Sequence, residues 1–212
     1  MNRRLLIVVT VILAVAAVAA VFVVPRLVAP SNRGEASQFA LDAQPRKGPA
    51  DAPVDVVVFE DFLCPHCGTF SESVAPRLDR EYVADGRIAY YAVNFVVIGP
   101  ESERIAQVGE CVFEQGNDAF WSFEQVAYRS QSGLDEQRAI ELAQEYADGL
   151  DRDALRLCID ENRGLESVRA DGRRAQELGV TGTPTVFVAG KQVRATYADI
   201  SAAIDAALAA GE

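Results

Sequence analysis

Two cysteines separated by two residues, in Cys64-Pro65-His66-Cys67, are the side chains of this sequence best suited to redox chemistry. A C-x-x-C spacing allows two thiols to close a disulfide bond and to open it again. The motif follows a β-branched run over residues 54–59 and precedes a stretch with helical spacing, so we expect it at a strand–helix junction. Unpaired N–H groups at a helix N-terminus favour thiolate over thiol. Cys64 is therefore the expected nucleophile, and Cys67 its resolving partner.

The two residues between the cysteines suit the same chemistry. Pro65 is compatible with the first turn of a helix, and His66 adds positive character next to Cys64. A stabilised thiolate stabilises the reduced form, which makes the disulfide of Cys64 and Cys67 a stronger oxidant.

A lone C-x-x-C also occurs in metal sites. Zinc requires four ligands, whereas His66 is the only histidine and no second C-x-x-C exists. A c-type haem requires histidine directly after the second cysteine, and that residue is Gly68. We expect neither a metal nor another cofactor. A thiolate module for Cu(I) is the alternative, although Met1 is the only methionine.

A second motif, Gly182-Thr183-Pro184-Thr185, lies near the C-terminal end of the sequence. Proline commonly opens a strand because the first residue need not donate to the sheet. Its functional interpretation is a cis-proline loop that faces the C-x-x-C, where the backbone of Thr183 pairs with an incoming peptide.

The elements around these motifs predict an α/β fold. Strands are expected over residues 54–59 and 87–97, with a helix over 69–83 between them that Pro76 kinks. Residues 101–162 contain no convincing strand and predict a helical insertion. The remaining predictions are insertion helices over 105–113, 119–128, 136–146 and 154–159, a helix over 167–178, a hairpin over 185–194 and a last helix over 199–209.

The N-terminal residues predict a membrane anchor. Arg3 and Arg4 precede an apolar run over residues 5–24 that only Thr10 interrupts. Twenty helical residues at about 1.5 Å each span about 30 Å, the thickness of the hydrocarbon core. With the arginines on the cytoplasmic side, the rest of the chain lies outside. A cleaved signal peptide is the alternative for residues 1–24.

Residues 25–50 predict a flexible linker. This stretch is rich in Pro, Gly, Ala, Ser and charged residues, with Phe39 and Leu41 as its apolar anchors and one short ordered piece. It separates the predicted anchor from the folded domain.

Composition and charge narrow the class of protein. The 212 residues are 50% hydrophobic and 24% charged, which is typical of a folded globular protein. Without Arg3 and Arg4 the chain carries 18 basic and 31 acidic residues, a net charge of −13. This acidic character disfavours nucleic acid and anionic lipid headgroups as partners.

The other two cysteines, Cys111 and Cys158, fall on apolar faces of predicted insertion helices. In an exported domain we expect them to form a structural disulfide, which stabilises the fold by about 4 kcal/mol in the chain-entropy model. Two separate buried thiols, or a second redox pair, are the alternatives.

The sequence resembles the DsbA-like branch of the thioredoxin superfamily. The resemblance rests on residues 62–68, residues 183–188 and the helical block between them, and it covers roughly residues 51–210. It implies a thioredoxin fold with an inserted helical domain, and the predicted N-terminal transmembrane helix precedes that domain. The chain then divides into an anchor (1–24), a linker (25–50), a first thioredoxin part (51–99), an insertion (100–164) and a second thioredoxin part (165–212).

The resemblance has one departure. Relatives commonly carry an acidic residue six positions before the first cysteine, where it assists proton transfer to the buried thiol, and here that residue is Val58. Glu60 and Asp61 are the candidates to replace it as a proton relay. Alternation along the strand puts Glu60 on the face of Val58 and Asp61 on the other face.

We therefore expect an extracytoplasmic, monomeric thiol–disulfide oxidoreductase held in the cell membrane by its N-terminus. The resemblance implies an oxidase that donates the Cys64–Cys67 disulfide to unfolded or partly folded exported proteins with free thiols. It also implies a membrane reoxidase, DsbB-like or VKOR-like. The alternative on the same fold is a dedicated reductase or an isomerase; isomerases of this type usually dimerise through an N-terminal domain for which residues 25–53 leave too little chain.

Overall fold

A five-stranded mixed sheet forms the centre of the computed structural model, which describes residues 38–211. Its strand order is β1-β3-β2-β4-β5, with β2 and β3 parallel and the other neighbouring pairs antiparallel. The strands are β1 (Arg46–Lys47), β2 (Val54–Glu60), β3 (Ile88–Asn94), β4 (Thr185–Val188) and β5 (Lys191–Val193).

Helices cover both faces of the sheet and form the insertion. A π-helical turn, Asp79–Val83, directly follows the short helix Ala75–Leu78. The helices are α1 (Pro65–Ser73), α2 (Ala75–Leu78), α3 (Pro100–Phe113), α4 (Asn117–Arg129), α5 (Glu136–Tyr146), α6 (Arg152–Asp160), α7 (Arg163–Glu177) and α8 (Tyr197–Gly211).

Strand β2 is the middle strand of the sheet, and every one of its residues is buried. Alternate side chains point to opposite faces. Val56 and Val58 pack under α1, α2 and α8, whereas Val57 and Phe59 pack against α7 and the N-terminal segment. The β-branched run therefore forms the buried strand that the sequence predicts.

The helix predicted over residues 69–83 starts earlier and is divided. It begins at Pro65, ends at Ser73, and resumes as α2 at Ala75. Pro76 takes the second position of α2, where its missing N–H costs no helical hydrogen bond. The break places Cys64 and Cys67 in the first turn of a short helix that packs on β2.

The insertion consists of α3 to α6, close to the predicted helices. The Cys111–Cys158 disulfide joins α3 to α6, with the two Cα atoms 5.7 Å apart. The insertion core continues into the redox motif, because Phe62, Cys64 and Cys67 belong to the same buried cluster.

The flexible linker predicted for residues 25–50 is wrong over its described part, residues 38–50. Phe39 and Leu41 are 1% and 3% exposed, and β1 pairs with the outer edge of β3. The ring of Phe39 contacts the rings of Phe59 and Phe187 at centroid distances of 6.2 and 5.1 Å. Two apolar residues in a polar stretch gave too little periodicity to predict this packing.

The predicted membrane anchor, residues 1–24, lies outside the described residues. Across residues 38–211, the helices are all too short or too polar to cross a membrane.

Candidate active site

Cys64 is the N-cap of α1, and Pro65 is the first residue of the helix. Cys64 and Cys67 are free thiols that are 5% and 1% exposed. His66 is exposed beside them. Cys64 therefore lies at the positive end of the helix dipole, where a thiolate is stabilised, and Cys67 is enclosed.

The Thr183–Pro184 peptide bond is cis and faces Cys64. The Cys64 thiol donates to the Thr183 carbonyl oxygen at 3.3 Å. An open groove of about 390 Å³ runs beside this contact, and its lining includes His66, Phe70, Val74, Pro184 and Thr196. The structure thus brings the two sequence motifs together at one edge of the groove.

Glu60, at the end of β2, is an acidic residue whose charge affects the pKa of Cys67. Its side chain is only 4% exposed, and burial raises its pKa well above the usual range, with the Glu124 carboxyl as the next cause. Burial also raises the pKa of the Cys67 thiol, and Glu60 raises it further. Burial therefore disfavours the charged form of both groups.

Glu124, on α4, contributes a second buried carboxyl group. It is 5% exposed, and its pKa is raised to about 7, chiefly by burial, while Lys47 lowers it and Asp79 raises it. The hydroxyl of Ser71 donates to Glu124 at 3.5 Å. The insertion thereby places an acidic group against the helix that carries the redox motif.

Lys47, on β1, is the nearby cation. Its ammonium pairs with Asp79 at 2.8 Å and lies 4.4 Å from the centre of the Trp121 ring. Because Lys47 lowers the pKa of both Glu60 and Glu124, the N-terminal segment contributes charge to the site.

Asp61 has a different environment from Glu60. Its carboxylate accepts hydrogen bonds from the backbone N–H groups of Leu63 at 2.8 Å, Val97 at 2.8 Å and Ile98 at 3.0 Å. The sequence predicts that β3 continues to residue 97, but the strand ends at Asn94. It ends there because the N–H groups of Val97 and Ile98 turn towards Asp61. Asp61 shapes the loops around the motif.

The grouping of possible metal ligands bears on the metal alternative. Among residues 38–211, no three His, Cys, Asp or Glu side chains are grouped so as to hold a metal ion. The chemistry that the site supports is exchange between the thiols of Cys64 and Cys67 and those of another molecule.

Comparison with known proteins gives the family. Residues 41–206 match a family model described as Thioredoxin. The chain belongs to the thioredoxin family. A similar protein is the "Probable disulfide bond formation protein D" of Bacillus anthracis, which is 36% identical over 172 residues, 79% of each chain.

Solved structures of DsbA-like proteins share the fold of this thioredoxin-family chain. Oxidised BdbD from Bacillus subtilis matches with a TM-score of 0.74 at 26% identity, over 80% of this chain and 95% of that one. DsbA from Chlamydia trachomatis matches with a TM-score of 0.68 at 22% identity, over 76% and 88%. The predicted DsbA-like resemblance is confirmed, and the chain is a thiol–disulfide oxidoreductase.

Sequence reasoning missed two polar residues around the motif of this oxidoreductase. Lys47 was missed because β1 was read as linker. Glu124 carried a usable signal, since it lies on the buried face of α4 between Phe123 and Ala127. A charged residue within an apolar helix face is rarely buried without a partner.

Proposed function

We propose that this thioredoxin-family chain is an extracytoplasmic disulfide oxidase that donates the Cys64–Cys67 disulfide to exported proteins. The observation that carries the proposal is the position of Cys64, at the N-cap of α1 and 3.3 Å from the Thr183 carbonyl oxygen. A helix N-terminus stabilises the Cys64 thiolate and so the reduced form, which makes the disulfide oxidising.

The exchange takes place in two steps. A substrate thiolate attacks Cys64 Sγ of the oxidised protein, which forms a mixed disulfide and breaks the Cys64–Cys67 bond. A second substrate thiolate then attacks the substrate sulfur of the mixed disulfide, and Cys64 leaves as a thiolate. Two electrons pass from the substrate thiols to the protein pair, and the substrate gains a disulfide.

Glu60 is the proposed proton relay of this reaction. When Cys67 leaves as a thiolate it enters a buried site where burial and Glu60 raise its pKa, so it must take up a proton. Protonated Glu60 supplies that proton, and it accepts a proton when the pair is reoxidised. Asp61 is not assigned this role because three backbone N–H groups occupy its carboxylate.

Unfolded or partly folded exported proteins with free thiols are the proposed substrates. The Thr183 backbone, which contacts the Cys64 thiol, is proposed to pair with an extended peptide whose cysteine reaches Cys64. The reduced protein then passes its electrons to a membrane reoxidase, DsbB-like or VKOR-like. An anchor formed by residues 1–24 would keep the domain near that partner, with Arg3 and Arg4 on the cytoplasmic side.

The redox equilibrium of the full chain against glutathione tests the proposal. For an oxidase we expect a potential near about −120 mV, the strongly oxidising end of the range for this fold. A potential near about −270 mV is typical of a reducing thioredoxin and would contradict the oxidase assignment in favour of the reductase.

A further inference from the structure

The side chain of Gln131, in the connection between α4 and α5, lies against the redox motif. Its Nε2 donates to the Phe62 carbonyl oxygen at 2.8 Å and to the Cys64 carbonyl oxygen at 2.9 Å. Both carbonyl groups belong to the segment that joins β2 to α1. The side-chain amide of Gln131 thus binds the backbone at both Phe62 and Cys64.

Gly68 provides the space for this contact. A Cβ atom at Gly68 would lie 2.3 Å from Gln131 Oε1, and its three nearest neighbours would all be atoms of the Gln131 side chain. Glycine is a poor helix former, and Gly68 lies within α1. The need to admit Gln131 therefore explains a glycine that the helix itself does not favour.

The insertion fixes the position of Gln131. The Tyr128 ring stacks on the Phe62 ring with centroids 5.2 Å apart and planes at 25°. The backbone N–H of Gln131 donates to the Tyr128 carbonyl oxygen at 3.4 Å, and that of Leu134 donates to the Gln131 carbonyl oxygen at 3.2 Å. The end of α4 therefore packs against the same segment that the Gln131 amide binds.

We propose that Gln131 is a positioning residue that holds the Cys64 carbonyl group and thereby favours the reduced state of the Cys64–Cys67 pair. This inference rests on the proposed redox function of that pair. The Cys64 carbonyl also accepts the Gly68 N–H at 3.1 Å, as the first hydrogen bond of α1. Gln131 thus secures the helix start whose free N–H groups face the Cys64 thiolate.

The electrostatic consequence has a definite sign. The amide N–H group of Gln131 places partial positive charge at the Cys64 carbonyl oxygen, the negative end of the peptide dipole of the same residue. Without it that dipole is uncompensated and the first turn of α1 is less ordered. Both changes weaken the thiolate relative to the disulfide, so loss of Gln131 makes the protein a weaker oxidant.

Redox titration of the full chain against glutathione tests this role. For Gln131→Ala we expect the squared concentration of reduced glutathione divided by the concentration of oxidised glutathione, taken at half reduction, to rise about fivefold, the effect of one ordinary hydrogen bond. Gln131→Glu should shift it further, because a carboxylate replaces the donor. Gln137→Ala, which removes an exposed glutamine of α5, is the matched control and should stay within about twofold. An unchanged equilibrium in Gln131→Ala overturns the proposal.

Gly68→Ala gives a second test that does not remove the glutamine. Its Cβ would displace the Gln131 amide, so the single variant should reproduce the redox shift of Gln131→Ala. In the Gln131→Ala background the same substitution should add no redox shift and should raise the melting temperature, because alanine favours the helix. Additive redox shifts in the double variant would contradict the proposal. The wild-type potential tests the oxidase function, whereas the ratio between variant and wild type tests Gln131.

Discussion

At the residue scale, Glu60 is the proposed proton carrier for Cys67. Glu60→Gln keeps the shape of the side chain and removes its acidity. We expect exchange steps in which Cys67 gains or loses a proton to slow at least tenfold at neutral pH, near the lower end of the range for general acid–base catalysis. Stopped-flow reduction of the disulfide measures this rate. Asp61→Asn should instead perturb the loops that Asp61 holds. An unchanged rate in Glu60→Gln would exclude Glu60 from the mechanism.

Glu124 makes a separate prediction about pH. Its pKa is about 7 in the folded protein and near the ordinary 4.5 in the unfolded chain, so the folded state binds its proton more tightly. The stability associated with this group is complete below about pH 4.5 and is lost as the pH rises to about 7, a change of about 3 kcal/mol. Urea unfolding across this range measures the slope. Glu124→Gln should make the slope shallower, while Glu60, Glu110 and Asp171, whose pKa values burial also raises, keep part of it. An identical slope in wild type and variant would contradict the assignment.

At the element scale, the N-terminal segment is part of the folded domain. A chain that begins at residue 50 loses β1 and the buried side chains of Phe39 and Leu41. Each apolar side chain contributes about 1.5–3 kcal/mol, which together is a large fraction of the stability of a domain. We expect a much lower urea midpoint than for a chain that begins at residue 35. Equal midpoints would show that the segment adds no stability.

The Cys111–Cys158 disulfide ties two helices of the insertion across a sequence separation of 47. In the chain-entropy model its removal costs about 4 kcal/mol. The double variant Cys111→Ser and Cys158→Ser should therefore melt at a lower temperature while the Cys64–Cys67 equilibrium with glutathione stays unchanged. A shift of that equilibrium would favour the alternative of a second redox pair. Individual serine variants, which leave one free thiol, serve as controls for new disulfides.

The elements show which parts of the fold can be predicted from sequence. Strand β2 and the β4–β5 hairpin were predicted closely, because β-branched runs and a Gly turn are local signals. Strand β1 was missed because a strand of two residues is too short to show an alternating pattern of apolar and polar side chains. It is defined by its pairing with β3. Within the site, the C-x-x-C motif is local, whereas Gln131 reaches Cys64 across 67 residues of sequence. No pattern in a single sequence shows such a contact.

At the scale of the whole molecule, the proposed function depends on where the domain is held. Outside Arg3 and Arg4 the chain carries 18 basic and 31 acidic residues, and this net negative charge disfavours attraction to anionic lipid. In the proposed function, contact with a membrane reoxidase depends on the predicted anchor over residues 1–24. The length and apolar character of residues 5–24 suit one membrane span.

Fractionation of cells that express the full chain tests the anchor. We expect the protein in the membrane fraction, resistant to high salt and released by detergent, because an apolar helix rather than charge holds it. Its intact mass should include residues 1–24. Protease added outside cells from which the wall or outer membrane has been removed should digest the domain. A soluble product that lacks these residues would establish the signal-peptide alternative. The domain would then meet its reoxidase by diffusion, and its rate of reoxidation would depend on its concentration rather than on tethering.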